Sequence, residues 1–160
     1  MRQLHTSGAA ASARDSKASS PRPEEPPLVL VVDDEPVHRE LHCMMLERAG
    51  YSTCTASDAA EALTVFGDRQ PALVMTDLRM PGVDGLRMVE LLRSGQAGAE
   101  TPILMVTSSA REMDSRRALE AGLFALLPKP VEMVDLLTAV ADAVGPGVIG
   151  HRDDRIGSAA

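Results

Sequence analysis

The chain has 160 residues, of which 44% are hydrophobic and 24% charged, and its formal net charge is −7. This size and composition fit one globular domain. The negative charge and the presence of only two lysines argue against direct nucleic-acid binding, which needs clustered basic residues. Neither a membrane-spanning apolar run nor the apolar core of a signal peptide is evident, so we expect a cytoplasmic protein without a membrane partner.

The two ends of the chain differ in composition from its middle. Residues 1–27 are rich in Ser, Ala, Pro and Arg and show no apolar period, which predicts a disordered N-terminal tail. Residues 146–160 predict a shorter C-terminal tail. The remaining segment, 28–145, is therefore the predicted domain.

The first half of this domain predicts two strand–helix units. The continuous apolar run at 28–32 is typical of a strand covered on both faces, and 51–55 predicts a short edge strand. Pro36 suits the first turn of one helix, Gly50 ends that helix, and Ser57 is the predicted cap of the next. Helical spacing predicts the buried faces of these helices: Val37, Leu41 and Met44, then Ala59, Ala62, Leu63 and Phe66.

The second half repeats the pattern three times. Strands are predicted at 72–76, 102–106 and 124–127, with a weakly amphipathic fourth helix at about 111–121 and a fifth helix at 131–144. The predicted buried faces are Leu86, Val89 and Leu92 on the third helix, and Met133, Leu137, Val140 and Val144 on the fifth. Five alternating units predict an α/β fold, a doubly wound five-stranded parallel sheet with right-handed crossovers.

Polar residues with distinctive chemistry follow four of the predicted strands. Asp33 and Asp34 follow the first strand, Asp77 the third, Thr107 the fourth and Lys129, after one proline, the fifth. Because a doubly wound sheet places its functional crevice beyond the carboxyl ends of its strands, we expect these side chains to converge there.

Converging carboxylates repel one another unless a cation lies between them. Hard oxygen ligands favour Mg²⁺, with Mn²⁺ as an alternative, and we assign Asp33, Asp34 and Asp77 as the metal ligands. Asp77 lies alone at the centre of the sheet edge, so we assign it as the carboxylate that attacks phosphorus and becomes an acyl phosphate. Lys129 and Thr107 would then contact the phosphoryl oxygens.

Two pairs of residues could suggest other chemistry. His38 and His42 have metal-compatible spacing on the first helix, but without an evident third ligand we interpret them as a surface helix face. A position of His38 near the acidic cluster is kept as an alternative. Cys43 and Cys54 form no CxxC motif and are interpreted as small apolar side chains.

Four segments, in this order and at these spacings, resemble the receiver domain of bacterial response regulators. The resemblance covers roughly residues 27–144 and implies the flavodoxin-like receiver fold. It also implies that the backbone carbonyl of Arg79 is a metal ligand and that the Lys129–Pro130 bond is cis. The segments are Val31–Glu35, Asp77–Gly85, Val106–Ser108 and Pro128–Pro130.

The chain departs from this family in its switch region, which the resemblance places at Ser108, Leu126 and Pro130. The family usually has Tyr or Phe three residues before the lysine, where this chain has Leu126. Phe124 lies two residues earlier and should share a sheet face with Leu126, so it is not an obvious substitute.

Two functions follow from these observations. The first is a stand-alone receiver, not an enzyme in the ordinary sense, that accepts a phosphoryl group from a histidine kinase or phosphotransfer protein. It would signal to a downstream protein, with homodimerisation as a further option. The alternative is a phosphorylation-independent docking or dimerisation module. A haloacid-dehalogenase-like phosphatase fits poorly, because it needs an Asp where this chain has Arg79.

Overall fold

Five parallel strands and five helices alternate along the chain in the computed structural model, which describes residues 25–110, 113 and 115–148. The strands are β1 (Leu28–Val32), β2 (Ser52–Ala56), β3 (Leu73–Thr76), β4 (Ile103–Thr107) and β5 (Ala125–Pro128). The helices are α1 (Pro36–Arg48), α2 (Ala59–Arg69), α3 (Gly85–Ser94), α4 (Ser115–Glu120) and α5 (Met133–Val144). The sheet order β2-β1-β3-β4-β5 confirms the predicted doubly wound parallel sheet.

Parts of three predictions fall outside the described residues. These are the predicted N-terminal tail up to residue 24, the C-terminal tail from residue 149, and the start of the predicted fourth helix at 111, 112 and 114. Within the part that the structure describes, no helix is both long and apolar enough to cross a bilayer.

Each face of the sheet has its own hydrophobic core. Along β1, Leu30 and Val32 pack toward α2 and α3, whereas Val29 and Val31 pack toward α1 and α5, as the two-residue period of a strand requires. The predicted faces of α2 and α3 are confirmed. Ala59, Ala62, Phe66, Val89 and Leu92 are buried, and Leu63 and Leu86 pack against them.

The predicted buried face of α1 is wrong. Val37, Leu41 and Met44 are 72%, 42% and 48% exposed, and the buried residues are His42 and Leu46. This helix has apolar residues on both sides, so their spacing does not determine which side meets the sheet. Leu46 is fully buried among the β1 and β3 side chains, and Met44 therefore points outward.

The predicted face of α5 is confirmed at Val140 and wrong at Met133. Met133 is 42% exposed, whereas Leu136 and Val140 are fully buried, with Leu137 and Val144 at the edge of the core. The helix begins two residues later than predicted.

The cap of α2 differs from the prediction by one residue. Asp58, not Ser57, is the N-cap, and its carboxylate accepts a 2.8 Å hydrogen bond from the Glu61 amide. Ser57 instead donates from both its amide and its hydroxyl to the Glu61 carboxylate, at 2.7 Å each. The pattern differs from a capping box by one residue, because the Glu61 carboxylate accepts from the residue before the N-cap and not from the N-cap amide itself.

The segment after α5 packs on the turn between α1 and β2. The Tyr51 hydroxyl donates to the Gly145 carbonyl at 2.9 Å, and the Val148 amide donates to the Gly50 carbonyl at 2.9 Å. A Cβ at Gly147 would overlap the Ala49 carbonyl, so the backbones approach closely only because residue 147 is glycine. Contact with the domain thus extends to residue 148, three residues beyond the predicted boundary at 145.

Substitutions at Leu136 and Met133 test which side of α5 is buried. We expect Leu136→Ala to lower the free energy of unfolding by about 2–5 kcal/mol, because it leaves a cavity in the core. Met133→Ala, the residue predicted to be buried, should change it by no more than about 0.5–1 kcal/mol. Urea denaturation measures both values. A larger loss for Met133→Ala than for Leu136→Ala would contradict the observed packing.

The buried imidazole of His42 predicts a pH-dependent stability. Burial, together with the nearby Lys129 ammonium, holds the pKa of His42 below its usual range, while Asp33 and Asp77 partly oppose this and His38 adds to it. The unfolded chain therefore binds a proton at this position before the folded chain does, so the stability due to His42 is lost as pH falls below about 6.5. We expect wild type to lose stability relative to His42→Leu between pH 7.5 and pH 5 in denaturation experiments. Parallel pH profiles for the two proteins would contradict this.

Candidate functional site

The carboxyl ends of four adjacent strands carry the polar residues that the sequence singled out. Asp33 follows β1, Asp77 follows β3, Thr107 ends β4 and Lys129 follows β5. Backbone hydrogen bonds hold these ends together. The Asp77 amide donates to the Val32 carbonyl at 3.1 Å, and the Lys129 amide donates to the Thr107 carbonyl at 3.0 Å. The predicted convergence is therefore observed.

Lys129 lies between two of the carboxylates. Its Nζ donates to Asp33 Oδ2 at 2.6 Å and to Asp77 Oδ2 at 2.8 Å, and its side chain is only 12% exposed. Burial alone would lower the pKa of Lys129, but the hydrogen bonds to the two carboxylates outweigh burial and raise it. The ammonium is therefore charged, and it connects the ends of β1, β3 and β5.

Backbone amides orient the same two carboxylates. The Glu35 amide donates to Asp33 Oδ1 at 2.9 Å, and the Arg79 amide donates to Asp77 Oδ1 at 3.1 Å. Each Asp thus accepts from the amide two residues later, as in an Asx-turn. This arrangement fixes Oδ1 and directs Oδ2 of both residues toward Lys129.

Asp77 is ionised. Burial would raise the pKa of its carboxyl, but hydrogen bonds from Lys129, Thr107 and the Arg79 amide lower it below its usual range. The fully buried Thr107 hydroxyl also accepts from the Ser109 amide at 3.2 Å, which holds the oxygen in place. A carboxylate in this state is a nucleophile with both oxygens already oriented.

The loop after Asp77 packs closely against the acceptor backbone. The Gly85 amide donates to the Leu78 carbonyl at 2.8 Å, and a Cβ at residue 85 would overlap the Asp77 carbonyl oxygen. The absence of a side chain at Gly85 therefore allows α3 to begin directly beside the acceptor.

Three carboxylates form a group that suits a divalent cation. Asp33, Asp34 and Asp77 each offer an oxygen, and these oxygens lie within 4.8 Å of one another. Two cationic groups lie at these carboxylates: the Lys129 ammonium bonds Asp33 and Asp77, and the Arg39 guanidinium donates to the Asp33 backbone carbonyl at 2.6 Å. The donor set is all oxygen, which fits Mg²⁺ or Mn²⁺ better than soft metals. The Arg79 carbonyl remains a predicted additional ligand.

Solvent reaches Asp77 through an open cavity of about 620 Å³. Asp34, Arg79 and Ser108 line it near the carboxylates, and α1 forms another wall. The cavity is large enough for a phosphoryl group to approach Asp77.

The predicted switch residues lie in two places. Ser108 and Pro130 are exposed at the cavity, and the Lys129–Pro130 bond is cis, as the resemblance implies. Leu126 lies on β5, partly buried in register with Met105 of β4. Phe124 is 47% exposed, so it does not fill an aromatic position in the core.

The two histidines of α1 are part of the site, so their interpretation as a surface helix face is wrong, whereas the alternative that His38 lies near the acidic cluster is confirmed. His42 is buried and lines the cavity. His38 is partly exposed, but its Nδ1 lies 3.1 Å from Lys129 Nζ and 3.6 Å from Asp33 Oδ2. The sequence indicates this position, because α1 begins three residues after Asp33 and the first turns of the helix must therefore lie beside the acidic cluster.

Comparisons with known proteins agree with this geometry. The family model for the response regulator receiver domain matches residues 29–141. Sensor histidine kinase RcsC of Escherichia coli is 37% identical over 106 residues, which is 66% of this chain and 11% of that protein. The phosphate regulon transcriptional regulatory protein PhoB of Pseudomonas aeruginosa is 34% identical over 122 residues, which is 74% of this chain and 53% of that protein.

A solved receiver structure has a similar fold. A response regulator receiver protein from Pseudomonas putida superposes with a TM-score of 0.66 at 32% identity, covering 72% of this chain and 96% of that one. By contrast, the chain spans only about a tenth of RcsC and half of PhoB. The similarity therefore concerns one domain of those larger proteins. Because the family model matches most of its length, this chain belongs to the response regulator receiver domain family.

Proposed function

We propose that Asp77 accepts a phosphoryl group from the phosphohistidine of a histidine kinase or phosphotransfer protein. The observation that carries this proposal is the state of Asp77: it is ionised, oriented by the Arg79 amide, bonded to Lys129 and located at an open cavity. Members of the receiver family partner with these two kinds of phosphoryl donor. A carboxylate that only capped a loop would not need a buried lysine.

The proposed transfer exchanges one bond to phosphorus for another. A carboxylate oxygen of Asp77 forms a bond to phosphorus while the phosphorus–nitrogen bond of phosphohistidine breaks. The electron pair of that bond stays on the imidazole nitrogen, which takes a proton from solvent. Hydrolysis reverses the modification, because water attacks phosphorus, the bond to Asp77 breaks, and carboxylate and inorganic phosphate are released.

The residues around Asp77 stabilise charge during both steps. Lys129 is in position to transfer one hydrogen bond from Asp77 Oδ2 to a phosphoryl oxygen, and the Thr107 hydroxyl is in position for another. A cation held by Asp33, Asp34 and Asp77 would neutralise charge on the phosphoryl group. Because the product is the modified chain itself, we regard the protein as a phosphoacceptor that assists its own phosphorylation and dephosphorylation, not as an enzyme.

Phosphorylation would be read as a change in protein–protein contacts. It places a doubly charged group beside Lys129 and Thr107 and so biases the equilibrium between two surface arrangements. Ser108, Leu126 and Pro130 are the residues through which we propose this bias reaches a downstream protein or a second copy of the chain. The alternative function is docking without phosphorylation. It predicts that a chain whose Asp77 cannot be phosphorylated makes the same protein–protein contacts.

Substitution of the acceptor tests the proposed chemistry. We expect acetyl phosphate with Mg²⁺ to add one phosphoryl group to wild type and none to Asp77→Asn, because the amide is not a nucleophile toward phosphorus. Intact-protein mass spectrometry measures the addition. Asp84→Asn is the matched control, because Asp84 caps α3 in the same loop and Asn caps equally well. An unmodified wild-type chain, or equal modification of Asp77→Asn, would overturn the proposal.

Removal of the ammonium tests its role in transfer. We expect Lys129→Ala to slow phosphorylation by acetyl phosphate on the order of tenfold to a hundredfold, because a positioned donor to the transferring group is lost. With Mg²⁺ present to offset carboxylate repulsion, the melting temperature should fall too little to account for this loss of rate. Lys17→Ala is the control, since it removes the only other lysine. A loss of stability that fully accounts for the slower reaction would indicate a purely structural lysine.

A further inference from the structure

We propose that His38 is a positioning residue that holds the Lys129 ammonium in place during phosphoryl transfer. The inference rests on the proposed phosphoacceptor function of Asp77 and adds a residue to it. His38 lies on α1 near the start of the helix, and it lines the same cavity as Asp77 and Lys129.

Lys129 has three hydrogen-bond donors, and the structure accounts for all of them. Asp33 and Asp77 take two, at 2.6 and 2.8 Å, and His38 Nδ1 lies 3.1 Å from the same nitrogen. An ammonium has no acceptor, so Nδ1 must accept, which places the imidazole proton on Nε2. The lysine is thus held from β1, β3 and α1 at once.

His38 differs from the other two partners in what happens to it during the reaction. Asp33 and Asp77 belong to the group of three carboxylates that suits a cation, and an oxygen of Asp77 becomes bonded to phosphorus. The hydrogen bonds from Lys129 to both residues are therefore subject to competition or must be exchanged. His38 is outside that group, so it remains a partner of the ammonium while Lys129 moves onto a phosphoryl oxygen.

An imidazole suits this position for electrostatic reasons. A carboxylate at residue 38 would add a further negative charge to the cluster and would compete with the phosphoryl group for Lys129. A lysine or arginine would repel the ammonium. An imidazole whose Nδ1 accepts the hydrogen bond has neither effect, and the His38 side chain is 44% exposed.

Three variants separate a hydrogen-bonding role from a packing role. His38→Leu removes the acceptor, and His38→Asn keeps one, because Asn Oδ1 is attached to Cγ as His Nδ1 is. Val37→Ala is the control, since Val37 is the neighbouring residue on α1 and is 72% exposed. A small donor, acetyl phosphate with Mg²⁺, keeps partner docking out of the measurement.

We expect His38→Leu to lower the phosphorylation rate constant by about three- to tenfold, since hydrogen bonds to charged groups are the stronger ones but this one is partly solvated. The rate constant of His38→Asn should stay within about twofold of the wild-type value, and that of Val37→Ala should equal the wild-type value. The melting temperature of each variant shows whether its substitution destabilises the fold. A His38→Leu rate equal to wild type, or a His38→Asn rate as low as that of His38→Leu, would overturn the proposal.

A second readout measures the position of the lysine directly. The chain has only Lys17 and Lys129, so the Lys129 side-chain signal in a ¹³C-lysine NMR spectrum can be assigned with Lys129→Arg. With Mg²⁺ and beryllofluoride added, we expect greater mobility of Lys129 Cε in His38→Leu than in wild type or His38→Asn. Equal mobility in all three proteins would count against a positioning role.

The two proposals fail in different ways. If wild type is phosphorylated on Asp77 but the His38 variants are kinetically and spectroscopically unchanged, only the role of His38 is overturned. If wild type gains no phosphoryl group and shows no response to beryllofluoride, the phosphoacceptor function fails and the role of His38 fails with it.

Discussion

The hydrogen bonds from the Lys129 ammonium to Asp33 and Asp77 are the interaction on which the site depends. They join the carboxyl ends of β1, β3 and β5 through one buried charge. A buried ion pair gains little net stability, because desolvation offsets much of the attraction. Its value here is positional, because it holds the Asp33 and Asp77 carboxylates within the group of oxygen donors that would bind a divalent cation.

The parallel sheet explains why residues far apart in sequence meet at this ammonium. Successive strands run in the same direction, so residues that directly follow β1, β3 and β5 all lie at one edge. Backbone hydrogen bonds then set the distances between these strand ends. The Asp77 amide donates to the last residue of β1, and the Lys129 amide donates to the last residue of β4. The two Asx-turns at Asp33 and Asp77 leave Oδ2 of each residue free for the lysine.

The sequence predicted the fold and the members of the acidic cluster because those depend on strand ends, which apolar runs mark clearly. It failed for the buried face of α1 and for Met133 of α5, because both helices carry apolar residues on two sides and only packing against the sheet selects the buried side. Val140 of α5 is buried as predicted. The contact of His38 with Lys129 was not predicted, for a related reason. Its contact with Lys129 depends on the rotation of α1 about its axis, and the prediction had placed Val37 and Leu41 inward.

The proposed readout need not depend on an aromatic side chain. Lys129 and Thr107 are coupled through the backbone, since the Lys129 amide donates to the Thr107 carbonyl and the Thr107 hydroxyl bonds Asp77. A phosphoryl group on Asp77 would attract both side chains toward the same point. Any displacement would then pass along the paired ends of β4 and β5, where Leu126 is in register with Met105. We propose that Leu126 repacks against its neighbours, because leucine cannot signal by the swing of an aromatic ring, and that a shift of the β4–β5 edge would then carry the signal.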